Sequence, residues 1–383
     1  MGRQEVDWAA AAPDLSGSAG GGSQSRVPTR TGLVAIVPRF TPVYAREHAR
    51  VHYGLEAGIR ELPSYLDQNF LLSVDTEPKY VLKIANSDEA GPFLEGQVAA
   101  LDHLRREGPG EAADRLDTPA VVRAADGRAV IPVRSPETGL PHATVLVRFV
   151  PGRPLAELPT YPAPLLEALG RGLGDLDRRL ARFDHPSMRR DHVWDLAQAA
   201  RHVELAEHIE SSVDRRRVVH RLRRFEADTL PLLSELPHQV VHNDANDHNV
   251  LVTEDGPEPR ATGLLDFGDM VWTARVSEPA IAMTYAMFAS SDPVAAACAV
   301  LGGYHSVFPL LTGEIRALSD LIEARLCVSV MMSAYGKSRD PDNEYRFVSE
   351  APAWSLLGRL ETLSSAGVTD AFLQACESAG APP

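Results

Sequence analysis

The apolar positions of this chain fall into two regimes. Between about residues 50 and 150 they come in short runs, Phe70-Leu71-Leu72-Ser73-Val74, Tyr80-Val81-Leu82-Lys83-Ile84 and Thr144-Val145-Leu146-Val147-Arg148-Phe149-Val150, each bounded by turn formers. Runs of this length and composition predict strands. One helix interrupts them: Leu94, Val98, Leu101 and Leu104 recur at helical spacing behind Pro92, a residue suited to a first turn. Pro151-Gly152 closes the last run, and from Leu165 onward long alanine- and leucine-rich helical patterns dominate. Inside that second region lies a compact β segment, made of Gln239-Val240-Val241, Val250-Leu251-Val252 and Gly263-Leu264-Leu265 with a turn at Asp255-Gly256. The pattern predicts a bilobal α+β chain. A small, mostly antiparallel lobe spans 31–150, a larger helical lobe spans 151–383, and the hinge falls near 148–152. No internal repeat is present.

Composition narrows the partners. The chain has 383 residues, 44% of them hydrophobic, enough to bury a sizeable core in two lobes. Its 52 acidic residues against 38 basic ones give a net charge of −14, which argues against nucleic acid or an anionic membrane as partner and favours cationic ligands. Residues 1–30, with Ser16-Gly17-Ser18-Ala19-Gly20-Gly21-Gly22-Ser23, bury too little surface to offset ordering entropy and are expected to form a flexible tail. The N-terminus lacks the basic and apolar stretches of a secretory signal, and no apolar run reaches transmembrane length. Cys298, Cys327 and Cys376 show none of the spacings of a zinc or redox site, so a reduced cytoplasmic chain is expected.

The polar loops of the β segment hold the candidate chemistry. His242-Asn243-Asp244-Ala245-Asn246-Asp247-His248-Asn249 lies between two predicted strands, and Leu265-Asp266-Phe267-Gly268-Asp269 follows one hairpin later. An aspartate in a loop ordinarily caps or turns the backbone. Here the two segments together fit H-x-D-x-x-x-x-N followed by D-F-G, the order and spacing of the catalytic loop and metal-binding turn of protein-kinase-like enzymes. Phosphoryl transfer needs a carboxylate beside the acceptor hydroxyl and further oxygen ligands for Mg²⁺ in one small cavity. Asp244 suits the first role, Asn249 and Asp266 the second, and His242 is expected to order the loop. The phosphates also need a cation held by an acid: Lys83, in mid-strand, and Glu95, at the start of the predicted helix, are the candidates, each otherwise read as a surface charge.

Other features carry less. Gly170-Arg171-Gly172-Leu173-Gly174 lacks the full spacing of a phosphate loop and follows no strand, so it reads as helix packing. No H-E-x-x-H pairing accompanies the histidines, which leaves no zinc site. Trp272 and Tyr285 read as core, although Trp272 follows the metal turn closely enough to line a pocket.

These motifs resemble those of the aminoglycoside phosphotransferase and choline kinase superfamily, and the longer strings are similar to hydroxylysine kinases. Leu62-Pro63-Ser64-Tyr65-Leu66-Asp67-Gln68-Asn69-Phe70, Tyr80-Val81-Leu82-Lys83-Ile84, Val150-Pro151-Gly152-Arg153-Pro154-Leu155-Ala156-Glu157-Leu158, Asn246-Asp247-His248-Asn249 and Leu265-Asp266-Phe267-Gly268-Asp269-Met270 carry the resemblance, which covers roughly 50–290. It implies a protein-kinase-like fold, Asp244 as catalytic base, Asn249 and Asp266 as metal ligands, and Lys83 with Glu95 as the phosphate-anchoring pair. Ser64, Tyr65, Asp67, Gln68 and Asn69 would cover the nucleotide, with Arg148 and Val150 at the hinge also contacting it. The donor would be ATP or GTP, with GTP the one expected of hydroxylysine kinases. Asn243-Asp244-Ala245 departs from the usual Gly-Asp and larger residue, a change expected to alter loop packing more than chemistry.

The reading is then a Mg²⁺-assisted small-molecule kinase whose acceptor is a hydroxy-amine, 5-hydroxylysine foremost. An aminoglycoside-type antibiotic kinase is the rival within the class, and a nucleotide-binding pseudokinase the rival outside it. The joint presence of Lys83, Glu95, Asp244, Asn249 and Asp266 argues against the pseudokinase. For the acceptor, Asp269 and Glu278 are candidates for the amine and Arg275 for a carboxylate, unless Arg275 pairs with Glu278 along a helix.

Overall fold

The computed structural model describes residues 37–64, 66–86, 91–108, 114–256, 258–341 and 347–380, so the expected tail and Tyr65 lie outside the described residues. In chain order the first part carries α1 (Pro42–Tyr53), β1 (Gly58–Leu62), β2 (Gln68–Val74), β3 (Glu77–Ala85), α2 (Pro92–Arg106), β4 (Val121–Val122), β5 (Val130–Arg134) and β6 (Pro141–Arg148). Among the described residues these strands form one antiparallel six-stranded sheet, ordered β1-β2-β3-β6-β4 with β5 also on β6. Alternation along β3 sorts its two faces. Leu82 and Ile84 pack with Phe70, Leu72, Ala45 and Ala49 under α1, while the other face, with Val145, meets Leu94 and Val98 of α2. Lys83 lies on that second face, in register with Asn69 of β2 and Val145 of β6.

Helix α1 was not evident in the sequence pattern, because it buries only Ala45, His48 and Ala49 and keeps its other positions outside the core. Its ends are conventional. Thr41 accepts a hydrogen bond from the Tyr44 N–H (3.1 Å), Pro42 opens the first turn, and Gly54 stops the helix at φ 66.

The second part carries β7 (Arg153–Pro154), α3 (Ala163–Leu180), α4 (Ser212–Arg224), α5 (Leu230–Leu233), β8 (His238–Val241), β9 (Val250–Thr253), β10 (Arg260–Leu264), β11 (Val271–Ala274), α6 (Ser277–Ala286), α7 (Pro293–Val307), α8 (Thr312–Arg339), α9 (Glu350–Leu360) and α10 (Ser365–Ala379). β10, β9 and β7 form one small sheet, and β11 pairs with β8 in another. These two hairpin-like units hold the motif loops, and the long helices pack behind them in one large apolar core. The chain crosses between the parts just after β6, where Gly152 has φ 133 and a Cβ would lie 3.0 Å from Leu251 Cβ and 3.2 Å from the Val252 carbonyl. Only glycine suits that close crossing. Among the described residues no helix is long and apolar enough to cross a membrane.

The glycine-rich segment sits inside α3 and is a packing surface. A Cβ on Gly170 would lie 2.0 Å from the Val300 carbonyl, and one on Gly303 of α7 would lie 2.1 Å from the Glu167 carbonyl. Backbone therefore meets backbone where the helices cross. Gly303→Ala should lower thermal stability, by about 1–3 kcal/mol or more because the clash is with main chain. Gly358→Ala, on the exposed side of α9 with nothing within 4 Å of its would-be Cβ, should instead be neutral or gain roughly 0.5–1 kcal/mol from helix propensity. Thermal melts of the two variants check the contrast, and equal destabilisation would contradict it.

Candidate active site

The motif loops and β3 face a single cavity of about 410 Å³ between the two parts. Its floor is built by the 242–249 loop. His242 is fully buried and donates through Nε2 to the Leu265 carbonyl (2.9 Å), while its Nδ1 accepts the Asp244 N–H (3.2 Å). Those partners fix the neutral tautomer, in keeping with burial that pushes its pKa down to about 4. The ring also meets Phe267 edge-on, 4.7 Å between centroids. One histidine thus ties the 242–249 loop to the 265–269 turn. Asn243 has φ 69, a left-handed conformation that asparagine tolerates better than most residues. Its N–H donates to Glu278 Oε2 (2.7 Å).

Beyond that point the loop converges on Asp244. Asn249 Nδ2 donates to Asp244 Oδ2 (2.7 Å) and to the Asp244 carbonyl (3.0 Å), and Asn246 Nδ2 donates to the same Oδ2 (2.9 Å). With its amide nitrogen so engaged, Asn249 keeps Oδ1 as its remaining polar atom. Asp266, at φ 55, accepts the Gly268 N–H (3.1 Å) and lies 3.6 Å from Lys83 Nζ. Protein crowded around Asp266 raises its pKa even though over half of the side chain is open to the cavity, but Lys83, the Gly268 N–H and His242 outweigh this and hold the carboxyl below its ordinary value.

Around the lysine the structure differs from expectation. Lys83 Nζ pairs with Asp67 Oδ2 at 2.6 Å, and Asp67 Oδ1 accepts the Asn86 N–H and side-chain amide, both at 2.8 Å. Glu95 is exposed on α2 and forms no ion pair with Lys83. The helix turns Leu94, Gln97 and Val98 to the cavity, which leaves position 95 rotated out toward solvent. Gln68 also leaves the expected set: its side chain accepts the Phe40 N–H (2.8 Å) and donates to the Phe40 carbonyl (2.9 Å), pinning the chain ahead of α1 outside the cavity. Ser64, Asp67, Asn69, Arg148 and Val150 all line the cavity.

The sequence reading missed Arg325. It lies in mid-α8 at 2% exposure, donates through Nη2 to Asp244 Oδ1 (2.7 Å) and Tyr285 Oη (3.2 Å), and sits over the Trp194 and Tyr285 rings. A helical run of apolar residues interrupted by one arginine was the available signal. Burial raises the Asp244 pKa to about 6, with Arg325 opposing and Asp266 reinforcing the rise. Asp269 also lines the cavity, 3.3 Å from His192 Nε2. Burial, then the charges of Asp244 and Asp266, lift its pKa to about 8.

Two other expected substrate residues point elsewhere. Arg275 donates through Nε and Nη2 to Glu314, each at 2.8 Å, and to the Pro309 carbonyl (2.9 Å), so it anchors the start of α8. Glu278 is fully buried beneath the loop, holding the Asn243 N–H, and is absent from the cavity wall. The anticipated Arg275–Glu278 pairing is not formed either. Trp272 stacks on His238 (4.8 Å) under Arg189 and does not line the cavity.

Comparisons with known proteins bear on the family and the fold. The sequence profile of the family described as "Phosphotransferase enzyme family" matches residues 58–310. Hydroxylysine kinase of Mus musculus is 30% identical over 385 residues, covering 94% of this chain and 98% of the relative. Among solved structures, a microcompartment-associated aminopropanol kinase superposes with a TM-score of 0.62 at 19% identity, covering 84% of this chain and 98% of that one. The amicoumacin kinase hAmiN, in complex with AMP-PNP, Ca²⁺ and Ami, gives 0.61 at 16% identity, covering 90% and 96%. The fold is therefore the kinase-like fold that the motifs implied.

The crowding of acids makes a measurable claim. Asp269 should hold its proton below pH about 8 in the ligand-free protein and lose it above. Carboxyl chemical shifts of aspartate-labelled protein should show a group titrating near that value, and Asp269→Asn should remove it. A spectrum in which every aspartate has ionised by pH 6 would contradict the assignment.

Proposed function

The chain belongs to the phosphotransferase enzyme family, and we propose that it transfers the terminal phosphoryl group of ATP or GTP to the side-chain hydroxyl of 5-hydroxylysine. It is a small-molecule kinase with an alcohol acceptor of the hydroxy-amine class. The observation that carries the reading is the hydrogen-bonded cluster of Asp244 and Asn249, which faces the same cavity as Asp266 and Lys83. The hydroxylysine kinase relative, 30% identical over nearly the whole chain, supports 5-hydroxylysine as the acceptor.

Each residue then has a role. Asp244 accepts the hydroxyl proton as the oxygen bonds to phosphorus and the nucleoside diphosphate departs. Asn246 and Asn249 on one oxygen and Arg325 on the other fix the carboxylate's orientation. Lys83, held by Asp67, meets the donor phosphates, and Ser64, Asn69, Arg148 and Val150 border the rest of the nucleotide. Asn249 Oδ1 and the Asp266 carboxylate, 55% exposed, form a set of hard oxygen donors that fits Mg²⁺. Bound there, the ion would neutralise charge on the transferring phosphoryl oxygens.

The acceptor reading has its own chemistry. In 5-hydroxylysine the hydroxyl carbon adjoins the carbon that bears the terminal amine, so the ammonium must sit close to Asp244. Asp269 is the carboxyl available at that place, and a bound ammonium would draw it into its ionised form. A cytoplasmic location suits the reaction, since nucleoside triphosphates are abundant there and the three free cysteines stay reduced.

Nucleoside-diphosphate release, measured with ATP and with GTP against 5-hydroxylysine, lysine and a panel of aminoglycosides, tests the assignment. Turnover of hydroxylysine but not lysine is expected, and turnover of aminoglycosides alone would replace it. Asp244→Asn should cut kcat by about 10²–10⁴ with nucleotide affinity nearly intact. Asp266→Asn should weaken Mg²⁺-dependent nucleotide binding. The activity of the parent should fall as pH drops through about 6, where Asp244 gains a proton and can no longer accept one.

A further inference from the structure

Helix α8 turns a polar stripe to the cavity. Arg325, Ser329 and Ser333 all line it, four residues apart and thus stacked at roughly 6 Å per step along one face. Their neighbours Leu326, Val330 and Met331 are buried and apolar. The stripe starts at Asp244, which Arg325 touches, and runs away from it.

Arg325 has more donors than partners. Nη2 is engaged by Asp244 and Tyr285, but among the described residues Nε and Nη1 have no hydrogen-bond partner, although the residue is almost wholly buried. The rings of Trp194 and Tyr285, with centroids 4.6 and 5.4 Å from the guanidinium carbon, hold the group in place and offset part of its charge. Two buried donors left unmet cost stability unless a ligand completes them. One turn on, Ser329 Oγ is likewise buried and, among the described residues, without a hydrogen bond of good geometry, although it lies near enough to the Tyr285 hydroxyl to affect that group's ionisation.

We propose that Arg325, with Ser329 beside it, forms the subsite for the carboxylate of the acceptor, so that the cavity selects an amino acid over a simple amino alcohol. The inference rests on the hydroxy-amine kinase reading and deepens it. Of the two other arginines on the wall, Arg148 lies at the end of β6 over the Tyr80 ring, on the side proposed for the nucleotide, and Arg190 already donates to the Gly268 and Met270 carbonyls and stacks on Phe93. Arg275 is saturated by Glu314 and the Pro309 carbonyl away from the cavity. The acceptor's dimensions match the stripe. In 5-hydroxylysine three carbons separate the hydroxyl-bearing carbon from the carboxylate, so a hydroxyl at Asp244 and an amine at Asp269 leave the carboxylate end to lie along α8. The α-amine next to it then meets the serine hydroxyls.

The test compares 5-hydroxylysine with 1,5-diamino-2-pentanol, which keeps the hydroxyl and its neighbouring amine but lacks the carboxylate. The full-length protein should favour the amino acid in kcat/KM by roughly 10- to 100-fold, the scale of a charge-assisted contact. Arg325→Met should reduce that ratio toward one, whereas a residue that merely positions Asp244 would lower both rates and leave the ratio standing. Ser329→Ala, which spares the Arg325–Asp244 contact, should raise KM for hydroxylysine several-fold more than KM for the diamine, and it decides the matter if the arginine variant does not fold. Equal turnover of both compounds by the parent, or an unchanged ratio in the variants, overturns the subsite while the kinase assignment stands. Turnover of neither compound, with diphosphate release on some other acceptor, overturns the acceptor reading and the subsite together.

Discussion

Placing Asp244, Asp266 and Asp269 on one cavity sets three carboxylates against each other, and the surrounding structure is organised by how that repulsion is met. Each acid meets it differently. Asp266 stays ionised because Lys83 and the Gly268 N–H favour its charge more than burial opposes it. Asp244 sits near its titration point, balanced between burial and the guanidinium of Arg325. At Asp269 burial and the charges of Asp244 and Asp266 outweigh Arg190 and Arg325, so it keeps its proton to about pH 8. On the function proposed above, the site is graded from an ionised carboxylate that would ligate the metal, through one that would take the hydroxyl proton, to a protonated acid that would meet the acceptor's ammonium. That order would suit phosphoryl transfer to a hydroxy-amine.

Much of this was legible in the sequence because the chemistry is local. The spacing from His242 to Asn249 confines three side chains to one loop, and their hydrogen bonds to each other close within it. The Asp266 turn follows at the length of one hairpin, so its placement beside the loop needed only that β9 and β10 pair. Lys83 was fixed by alternation along a strand. Even the unusual Asn243 had a local reason, since a left-handed backbone accepts asparagine where glycine is usual.

Partners that come from distant segments were not legible. Lys83 and Glu95 are close in sequence, yet the rotation of α2 about its axis decides which side chain enters the cavity, and that rotation follows from packing Leu94 and Val98 on the sheet. The lysine takes Asp67 from across the sheet instead. Arg275 and Glu278 lie one turn apart and suggested a pair, but each is claimed by a different element: Glu314 at the start of α8 takes the arginine, and the Asn243 N–H takes the glutamate. Arg325 stands 81 positions from Asp244, and nothing in either segment marks the other. Long-range ion pairs depend on the path of the chain, which a periodic pattern does not encode.

The glycines of α3 and α7 connect packing to chemistry. Backbone contact at Gly170 and Gly303 brings α7 close enough for Tyr304 to donate to Asp177 Oδ2 at 2.6 Å, deep under β8. Gln239 of β8 donates in turn to the Asp177 carbonyl (2.9 Å). Burial and the nearby Glu278 push Asp177 well above its ordinary pKa, and burial lifts Glu278 to about 7, so the two acids together shed charge that this depth cannot solvate. Glu278 still accepts the Asn243 N–H, the backbone donor just ahead of Asp244. Helix–helix spacing thus places a buried acid, Asp177, which feels the charge of the acid that holds the Asn243 peptide. The segment that resembles a phosphate loop is therefore a helix-packing surface, and its glycines matter because backbone meets backbone there.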